Sequence, residues 1–278
     1  MSLRILVTND DGVDSEGLHV LARRMQTAGD VVVVAPDKEY SGASAALGSL
    51  QSIHPEVHNF DIAGIPETWA VSGPPALCVT FARLGAFGPP FDLVVAGINP
   101  GANVGRSVYH SGTVGAAVTA RNSGISALAV SQAVKDFGVE GQGSDEMLEG
   151  QCWSSAAAVA EAVARTLLGD PPAMPVVANV NLPNLPLAEI KGWRHTRLAI
   201  IPTRSMAAAA LVPKAGHPGS FRVRMTWGDA VSLPPDTDGG AIERGQVSLM
   251  FLGHLSESDP APAVAGAVGD TLERLLGP

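Results

Sequence analysis

The stretch Arg4-Ile-Leu-Val-Thr8-Asn9-Asp10-Asp11-Gly12 decides how the rest of the chain is interpreted. Its apolar half predicts a short buried β-strand, which runs directly into two adjacent carboxylates and a glycine. In open α/β sheets, ligands bind in the crevice at the carboxyl ends of the strands. Two ionised side chains there would repel each other unless a cation lay between them, so Asp10 and Asp11 are candidate ligands for a divalent metal. The alternative is that they cap the helix that follows, as Asp often does.

The residues after this turn predict a βαβ unit. Asp14 or Ser15 can cap a helix whose apolar side chains recur at the helical period, and Gly29 ends it. Val31–Pro36 then has the composition of a second buried strand. Because two strands joined through a helix pair in parallel with a right-handed crossover, these strands are expected to be neighbours in one sheet.

The polar loop that follows, residues 37–48, is expected at the same edge of the sheet as Asp10. It can bring the hydroxyl groups of Ser41 and Ser44 close to the carboxylates. From its own composition, however, an ordinary surface loop is the favoured interpretation.

A third strong strand, Phe91–Asn99, leads into a glycine-rich segment. Asn99 ends this strand much as Asp10 ends the first, and its side-chain oxygen is a candidate metal ligand. The glycines allow a ligand to approach the backbone, and a helix is predicted to begin near Thr113. Because free N–H groups at a helix N-terminus bind anions, a phosphate fits here. The candidate phosphate-binding residues are Asn103, Ser111, Gly112 and Thr113. The spacing matches neither a Walker loop nor a dinucleotide-binding fingerprint.

Further alternating elements complete an α/β region. The pattern predicts strands over 68–72, 125–130 and 176–182, helices over 75–84 and 152–168, and a polar surface loop over 131–150. Prolines at 183 and 186 close the region. The fold class expected is therefore α/β, with a Rossmann-like parallel-sheet core over residues 1–186.

The character of the chain changes over residues 187–278. Extended arms or hairpins are predicted at 189–198 and 221–226, a strand at 246–253 and an amphipathic terminal helix at 262–276. Extended segments that cannot bury their own faces commonly pack on another subunit, so this part is expected to mediate homo-oligomer formation.

The composition limits the class of protein. Of the 278 residues 46% are hydrophobic but only 5% aromatic, which suits a parallel sheet covered by helices. Two cysteines, Cys78 and Cys152, are too few for a disulfide framework. A net charge of −9 argues against binding long nucleic acids. With no apolar run long enough to span a membrane and no leader pattern, a cytoplasmic protein without a membrane partner is expected.

Three motifs together resemble the SurE family of survival-protein nucleotidases. They are Asn9-Asp10-Asp11-Gly12, Ala35-Pro-Asp37 with Ser41-Gly42, and Ala96-Gly-Ile-Asn99-Pro-Gly-Ala-Asn103-Val-Gly105 with Ser111-Gly-Thr-Val-Gly-Ala-Ala117. The resemblance implies a Rossmann-like core and a C-terminal part exchanged between the subunits of a homodimer or homotetramer. It also implies hydrolysis of nucleoside monophosphates dependent on one divalent metal ion, Mg²⁺ or Mn²⁺. The implied metal ligands are Asp10, Asp11, Ser41 and Asn99.

The chain departs from the family pattern at two places. Ala45 and Gly48 stand where such proteins usually have a His and a Thr, and Gly73-Pro-Pro-Ala-Leu77-Cys78 replaces Gly-Thr-Pro-Ala-Asp-Cys. The missing histidine removes a candidate phosphate contact or proton donor. A nucleotide-binding member of the family with weak or altered phosphatase activity is therefore an alternative.

The activity expected is that of a metal-dependent 5'-nucleotidase, with Asp10 and Asp11 as catalytic residues. The metal would activate a water molecule that one of these carboxylates orients. A rival from another class is a receiver-type signalling domain, which also carries an acidic pair after its first strand. That interpretation needs a phospho-acceptor Asp at the end of the third parallel strand, where this chain has Asn99.

Overall fold

A nine-stranded, mostly parallel β-sheet organises the chain in the computed structural model, which describes residues 2–48, 54–134, 148–201, 206–229, 231–255 and 262–276. Its order is β3-β4-β2-β1-β5-β6-β7-β11-β8, and β9 and β10 form a separate two-stranded sheet. In chain order the strands are β1 Arg4–Thr8, β2 Asp30–Pro36, β3 Val57–Asn59, β4 Glu67–Val71, β5 Leu93–Pro100, β6 Ala127–Gln132, β7 Val177–Leu182, β8 Trp193–His195, β9 Met206–Pro213, β10 Phe221–Trp227 and β11 Val247–Leu252.

Helices cover both faces of the sheet. They are α1 Glu16–Met25, α2 Pro75–Arg83, α3 Gly112–Asn122, α4 Trp153–Gly169, α5 Asp238–Glu243 and α6 Pro262–Leu276, with 3₁₀ turns at Gly105–Tyr109 and Leu187–Glu189. One core cluster packs α1 and α4 against the sheet, and a second packs α2 and α3 against the opposite face. The α/β, Rossmann-like core predicted from the sequence is confirmed.

The order in which successive strands join the sheet reverses at β1. From β1 the chain moves outward through β2 to β4, and it then returns to β5 on the other side of β1. Both neighbours of β1 are parallel to it. In open α/β sheets such a switch point opens a crevice at the carboxyl ends of the two strands that flank it, here β1 and β5.

The main sheet continues past residue 186. β11 pairs antiparallel with β7, and β8 pairs in parallel with β11, so two strands from the C-terminal part extend the sheet. The boundary at residue 186 between a core and a C-terminal part stays a prediction. The main sheet contains strands from both sides of this boundary. The short helix α5 was not predicted, because six residues are too few to show a helical period.

The surface loop expected at 131–150 begins later than predicted. Ser131 and Gln132 are fully buried and continue β6, because polar partners beneath the sheet edge accommodate their side chains. Most of this loop, residues 135–147, lies outside the described residues. Residues 49–53 also lie outside the described residues.

Two C-terminal elements expose apolar side chains to solvent. β9 and β10 pair antiparallel with each other, as the hairpin prediction for 221–226 requires, and Phe221, Val223 and Met225 are all half exposed or more. The terminal helix α6 has the predicted bounds, and Val264 and Leu275 on it are also exposed. Within the described ranges, no helix is both long and apolar enough to cross a bilayer.

Candidate functional site

The acidic turn after β1 lies at the sheet's switch point and does not cap the helix that follows it. The N-cap of α1 is Ser15, whose hydroxyl accepts a hydrogen bond from Leu18 N–H at 3.3 Å. Asn9 reinforces this cap, because its Nδ2 donates to Ser15 Oγ at 3.0 Å and to Gly12 O at 2.9 Å. The carboxylates of Asp10 and Asp11 are therefore not used by α1, and the capping alternative is wrong for this helix.

Asp10 instead meets the N-terminus of a different helix, α3. Its Oδ2 accepts a hydrogen bond from Gly112 N–H at 3.0 Å, and its Oδ1 accepts one from the Thr113 hydroxyl. A Cβ on Gly112 would lie 2.7 Å from Asp10 Cβ, so only glycine allows this approach. The positive end of the helix dipole favours the ionised form of the carboxylate. The acidic turn is thus joined directly to the glycine-rich loop, residues 101–113.

Asp11 is less well supplied with partners. Its Oδ2 is buried and has no hydrogen-bond partner among the described residues. Burial raises the pKa of Asp11 well above its usual range, and the charges of Asp10 and Glu39 raise it further. Burial also raises the pKa of Asp10, against the opposing effect of its hydrogen bonds with Thr113 and Gly112. Among the buried side-chain oxygens of the described residues that lack a partner, this one alone belongs to a carboxylate. Because an unpaired buried charge costs more than an unpaired neutral group, this oxygen points to a missing ligand.

The loop after β2 lies against the acidic turn, as predicted. Tyr40 N–H donates to Asp10 O at 2.7 Å, which places the next residue, the exposed Ser41, beside the turn. The loop also packs on α3, because Ser44 N–H donates to His110 O at 3.1 Å. A Cβ on Gly115 of α3 would lie only 2.1 Å from Ser44 O, so the contact is close.

Asn99 occupies the corresponding position at the end of β5. Its Nδ2 donates to Gly101 O at 2.6 Å, which fixes the side chain and leaves Oδ1 as the atom suited to a cation. Because β5 is the neighbour of β1 opposite β2, Asp10, Ser41 and Asn99 follow three adjacent strands. The fold therefore brings the predicted ligand positions to one edge of the sheet.

These residues fit a hard divalent cation. Two carboxylates, a hydroxyl and an amide oxygen are the donor types that Mg²⁺ and Mn²⁺ prefer. The buried Oδ2 of Asp11 without a partner is the feature that a bound cation would satisfy. In the described part of the chain no group of three or more His, Cys, Asp or Glu residues is placed to hold a metal ion.

The predicted phosphate-binding residues are held by the protein itself. Gly112 N–H and the Thr113 hydroxyl bind Asp10, and Ser111 is the N-cap of α3, accepting from Val114 N–H at 3.1 Å. The Ser111 hydroxyl hydrogen remains able to donate to another group. Direct phosphate contacts by Ser111, Gly112 and Thr113 stay a prediction.

Asn103 is buried in a network of amide side chains beneath the glycine-rich loop. Its backbone N–H donates to Asn181 Oδ1 at 2.7 Å, and its Nδ2 donates to Ser131 Oγ at 2.9 Å. In return, Asn179 Nδ2 and Asn181 Nδ2 both donate to Asn103 O at 3.1 Å. These contacts with β6 and β7 fix the start of the loop, and a phosphate contact by Asn103 stays a prediction.

Sequence reasoning missed three residues that support the site, namely Asn179, Asn181 and Asp238. The two asparagines alternate with apolar residues inside a buried strand, which was a visible signal, since buried amides need partners. Asp238 accepts the N–H of Gly105 in the glycine-rich loop at 2.8 Å. Nothing in the residues around Asp238 indicated a partner 133 positions earlier.

Comparison with known proteins identifies the family. A family model described as "Survival protein SurE" matches residues 5–204. A protein named "5'/3'-nucleotidase SurE" from Salmonella paratyphi B is 38% identical over 252 residues, which is 89% of this chain and 88% of the relative. The protein of the same name from Salmonella arizonae is 37% identical over the same shares. The crystal structure of the SurE protein from Aquifex aeolicus has a TM-score of 0.71 at 28% identity, covering 98% of this chain and 99% of that one. This chain belongs to the SurE family.

Proposed function

We propose that the protein is a divalent-metal-dependent phosphomonoesterase that hydrolyses nucleoside monophosphates to nucleoside and phosphate. The observation that carries this proposal is the acidic pair at the switch point, in which Asp10 is buried and the buried Oδ2 of Asp11 has no partner among the described residues. Relatives 37–38% identical to this chain are named 5'/3'-nucleotidase SurE, which supports nucleotides as the substrate class. A cytoplasmic location stays a prediction.

Four residues would hold the metal, namely Asp10, Asp11, Ser41 and Asn99. A bound Mg²⁺ or Mn²⁺ would polarise the phosphoryl group and lower the pKa of a water molecule at the site. The protein's own contribution begins with Asp10, which is held in place by Gly112 N–H and the Thr113 hydroxyl. Held in this way, the carboxylate cannot rotate away from the site. A fixed carboxylate costs no reorganisation when charge develops in the transition state.

Asp11 is suited to orient the attacking water. Its Oδ2 accepts no hydrogen bond from the described residues, and because a carboxylate oxygen has two lone pairs, this atom could bind the cation and also accept a hydrogen bond from the attacking water. The helix α3 points its N-terminus at the same site, and its positive end favours negative charge there. The side chains of Ser111 and Asn103 lie on the loop that would face the phosphate, although the latter is bound to Ser131.

A second candidate function is nucleotide binding with weak or altered phosphatase activity. The observation that favours it is the composition of the loop after β2, where Ala45 and Gly48 carry no polar side chain. Ala45 is exposed on a loop that contacts His110 and α3, so a histidine introduced there would stand beside the site. If proton donation is what the chain lacks, Ala45→His should raise the turnover number.

A phosphate-release assay tests the proposal. The full-length protein is incubated with a panel of nucleoside monophosphates and a generic phosphate ester, with Mn²⁺, with Mg²⁺ or with EDTA. We expect phosphate release from nucleoside monophosphates with either metal and none with EDTA. Binding of nucleotide without release under any condition would favour the second candidate. If the protein neither binds nucleotide nor releases phosphate with any metal, both candidate functions are rejected.

We propose also that the protein is a homodimer or homotetramer in which C-terminal segments are exchanged. The β9–β10 hairpin pairs only with itself among the described strands, and it exposes Phe221 and Val223 by more than half. Apolar side chains in this arrangement are suited to packing on another subunit. Light scattering of the wild type and of the Phe221→Ser variant tests this. A wild type that is monomeric at micromolar concentration would contradict it.

A further inference from the structure

Asp238 is a buried carboxylate far from the acidic turn, and its partners are all backbone N–H groups. Its Oδ2 accepts from Gly105 at 2.8 Å, and its Oδ1 accepts from Ala199 at 3.0 Å and from Gly239 at 2.8 Å. The residue is fully buried at the N-terminus of α5, where Thr237 is the N-cap. Because its partners lie in three separate segments, this single side chain joins parts of the chain that the sequence keeps apart.

The bond to Gly105 reaches the glycine-rich loop at its 3₁₀ turn, Gly105–Tyr109. Gly105 has φ +54°, and a Cβ there would lie 3.2 Å from Ala199 O. The turn is therefore pressed against the segment of Ala199, and the same carboxylate bonds both of them. The 3₁₀ turn is followed by Ser111, which is the N-cap of α3, the helix that holds Asp10.

Besides its contacts with Asn99, Ser44 and Asp10, the loop is fixed at two further points. Its start is held from beneath by the amide network of Asn103, Asn179 and Asn181, and its middle is held by Asp238. Only the second point involves the C-terminal part of the chain. Ala199, whose N–H Asp238 also accepts, belongs to the same C-terminal part of the chain.

We propose that Asp238 is a positioning residue for the reaction at the acidic turn, acting by locking the glycine-rich loop to the C-terminal segment. The proposal rests on the proposed function, because the loop matters for turnover only if it cradles the substrate phosphate. Asp238 itself contacts neither the predicted metal ligands nor the predicted phosphate donors. Its effect should therefore appear in substrate binding and turnover, with metal affinity unchanged.

The test uses the full-length protein and the Asp238→Asn variant. The amide keeps the size of the side chain but replaces one accepting oxygen by a donor, which faces a backbone N–H and cannot bond it. Asp236→Asn is the matched control, since Asp236 lies two residues away and forms an exposed ion pair with Arg197 at 2.6 Å. Three quantities are measured, namely amide hydrogen exchange of residues 101–110, the Kd for Mn²⁺, and kcat and KM for a nucleoside monophosphate.

In Asp238→Asn we expect exchange of residues 101–110 to accelerate about tenfold or more, because a bond that closes the loop is lost. We expect kcat/KM to fall about 10- to 100-fold, with KM raised, while the Kd for Mn²⁺ stays within about twofold. Asp236→Asn should match the wild type in all three. Unchanged exchange, unchanged kcat/KM despite a lower melting temperature, or a weakened Mn²⁺ Kd would each overturn the proposal.

The exchange measurement separates this proposal from the proposed function. If the wild type releases no phosphate, the function fails, but exchange of residues 101–110 still shows whether Asp238 locks the loop. If Asp238→Asn does not fold, Gly105→Ala perturbs the same joint from the other side, because its Cβ would press on Ala199 O at 3.2 Å. That variant should accelerate exchange of the loop and raise KM while leaving the Mn²⁺ Kd unchanged. Normal loop exchange and KM in this variant would overturn the proposal.

Discussion

Two sites with buried carboxylate oxygens differ in whether hydrogen-bond donors of the protein satisfy those oxygens. At Asp238, each oxygen accepts at least one backbone N–H, and the side chain joins three segments. At the acidic turn, two carboxylates are adjacent, and Asp11 Oδ2 is buried without a partner. Burial raises the pKa at both sites, but only Asp11 has its pKa raised further by neighbouring carboxylates. A satisfied buried acid holds structure together, whereas an unsatisfied pair is suited to a cation.

The largest effect is expected from closing the space between the acidic turn and α3. Gly112→Ala places a Cβ 2.7 Å from Asp10 Cβ and 2.8 Å from its Oδ2, so the helix or the carboxylate must move. We expect kcat/KM to fall by about 100-fold, because a displaced catalytic group loses its orientation. Gly169→Ala is the control, since a Cβ at the end of α4 meets nothing within 4 Å. Equal activity of the two variants would show that this contact is unimportant for catalysis.

The second prediction is that an Asp→Asn substitution changes the free energy of unfolding in opposite directions at the two sites. Asp238→Asn should lower the free energy of unfolding by about 1–3 kcal/mol, because a buried N–H loses its acceptor. Asp11→Asn should raise it by up to about 1 kcal/mol in EDTA, because repulsion with Asp10 is removed. Urea denaturation of both variants without metal measures this. Destabilisation by Asp11→Asn in EDTA would mean that Asp11 also holds structure together.

The raised pKa of Asp11 determines how the stability gained by Asp11→Asn changes with pH. A carboxyl group whose pKa is raised in the folded state destabilises that state as the pH rises above 3.8, the ordinary pKa of Asp. The advantage of Asp11→Asn in EDTA should therefore be largest near pH 8 and should shrink as the pH falls toward 4. An advantage independent of pH would contradict charge repulsion as its cause.

The smallest effect is expected at Glu161, a carboxylate whose partners include two cations. The Thr27 hydroxyl and the guanidinium of Arg165, followed by that of Arg24, lower the pKa of Glu161 to about 2. A lowered pKa stabilises the folded state above pH 4.5, the ordinary pKa of Glu, and this contribution is lost as the pH falls toward 2. Because both arginines are half exposed, Glu161→Gln should cost under about 1 kcal/mol at pH 7.

Urea denaturation between pH 2.5 and 7 measures this cost. The difference between the wild type and Glu161→Gln should shrink strongly toward the acidic end, because pH 2.5 lies only just above the lowered pKa of about 2. Asp170→Asn, at the exposed C-cap of the same helix, is the control and should show no such trend. A difference at pH 2.5 as large as the one at pH 7 would rule out the ion pairs as its origin.

Features that depend on residues close together in the sequence could be predicted, whereas contacts between residues far apart in the sequence could not. The strand before Asp10, its acidic turn and the end of β5 were predictable, because apolar runs and their polar termini are local patterns. Ser131 was wrongly placed in a loop, because its buried partner Asn103 lies 28 positions earlier. The role of Asp238 could not be foreseen, since its acceptor oxygens are satisfied only by the folded backbone.

The central claim, that the unsatisfied acidic pair binds a divalent metal, is tested most directly by calorimetric titration of Mn²⁺. The wild type, Asp11→Asn and Asp238→Asn are titrated at the same pH after treatment with EDTA. We predict one Mn²⁺ site per chain in the wild type, an affinity more than about 100-fold weaker in Asp11→Asn, and an affinity within about twofold of the wild type in Asp238→Asn. Equal affinity in the wild type and Asp11→Asn would contradict the claim.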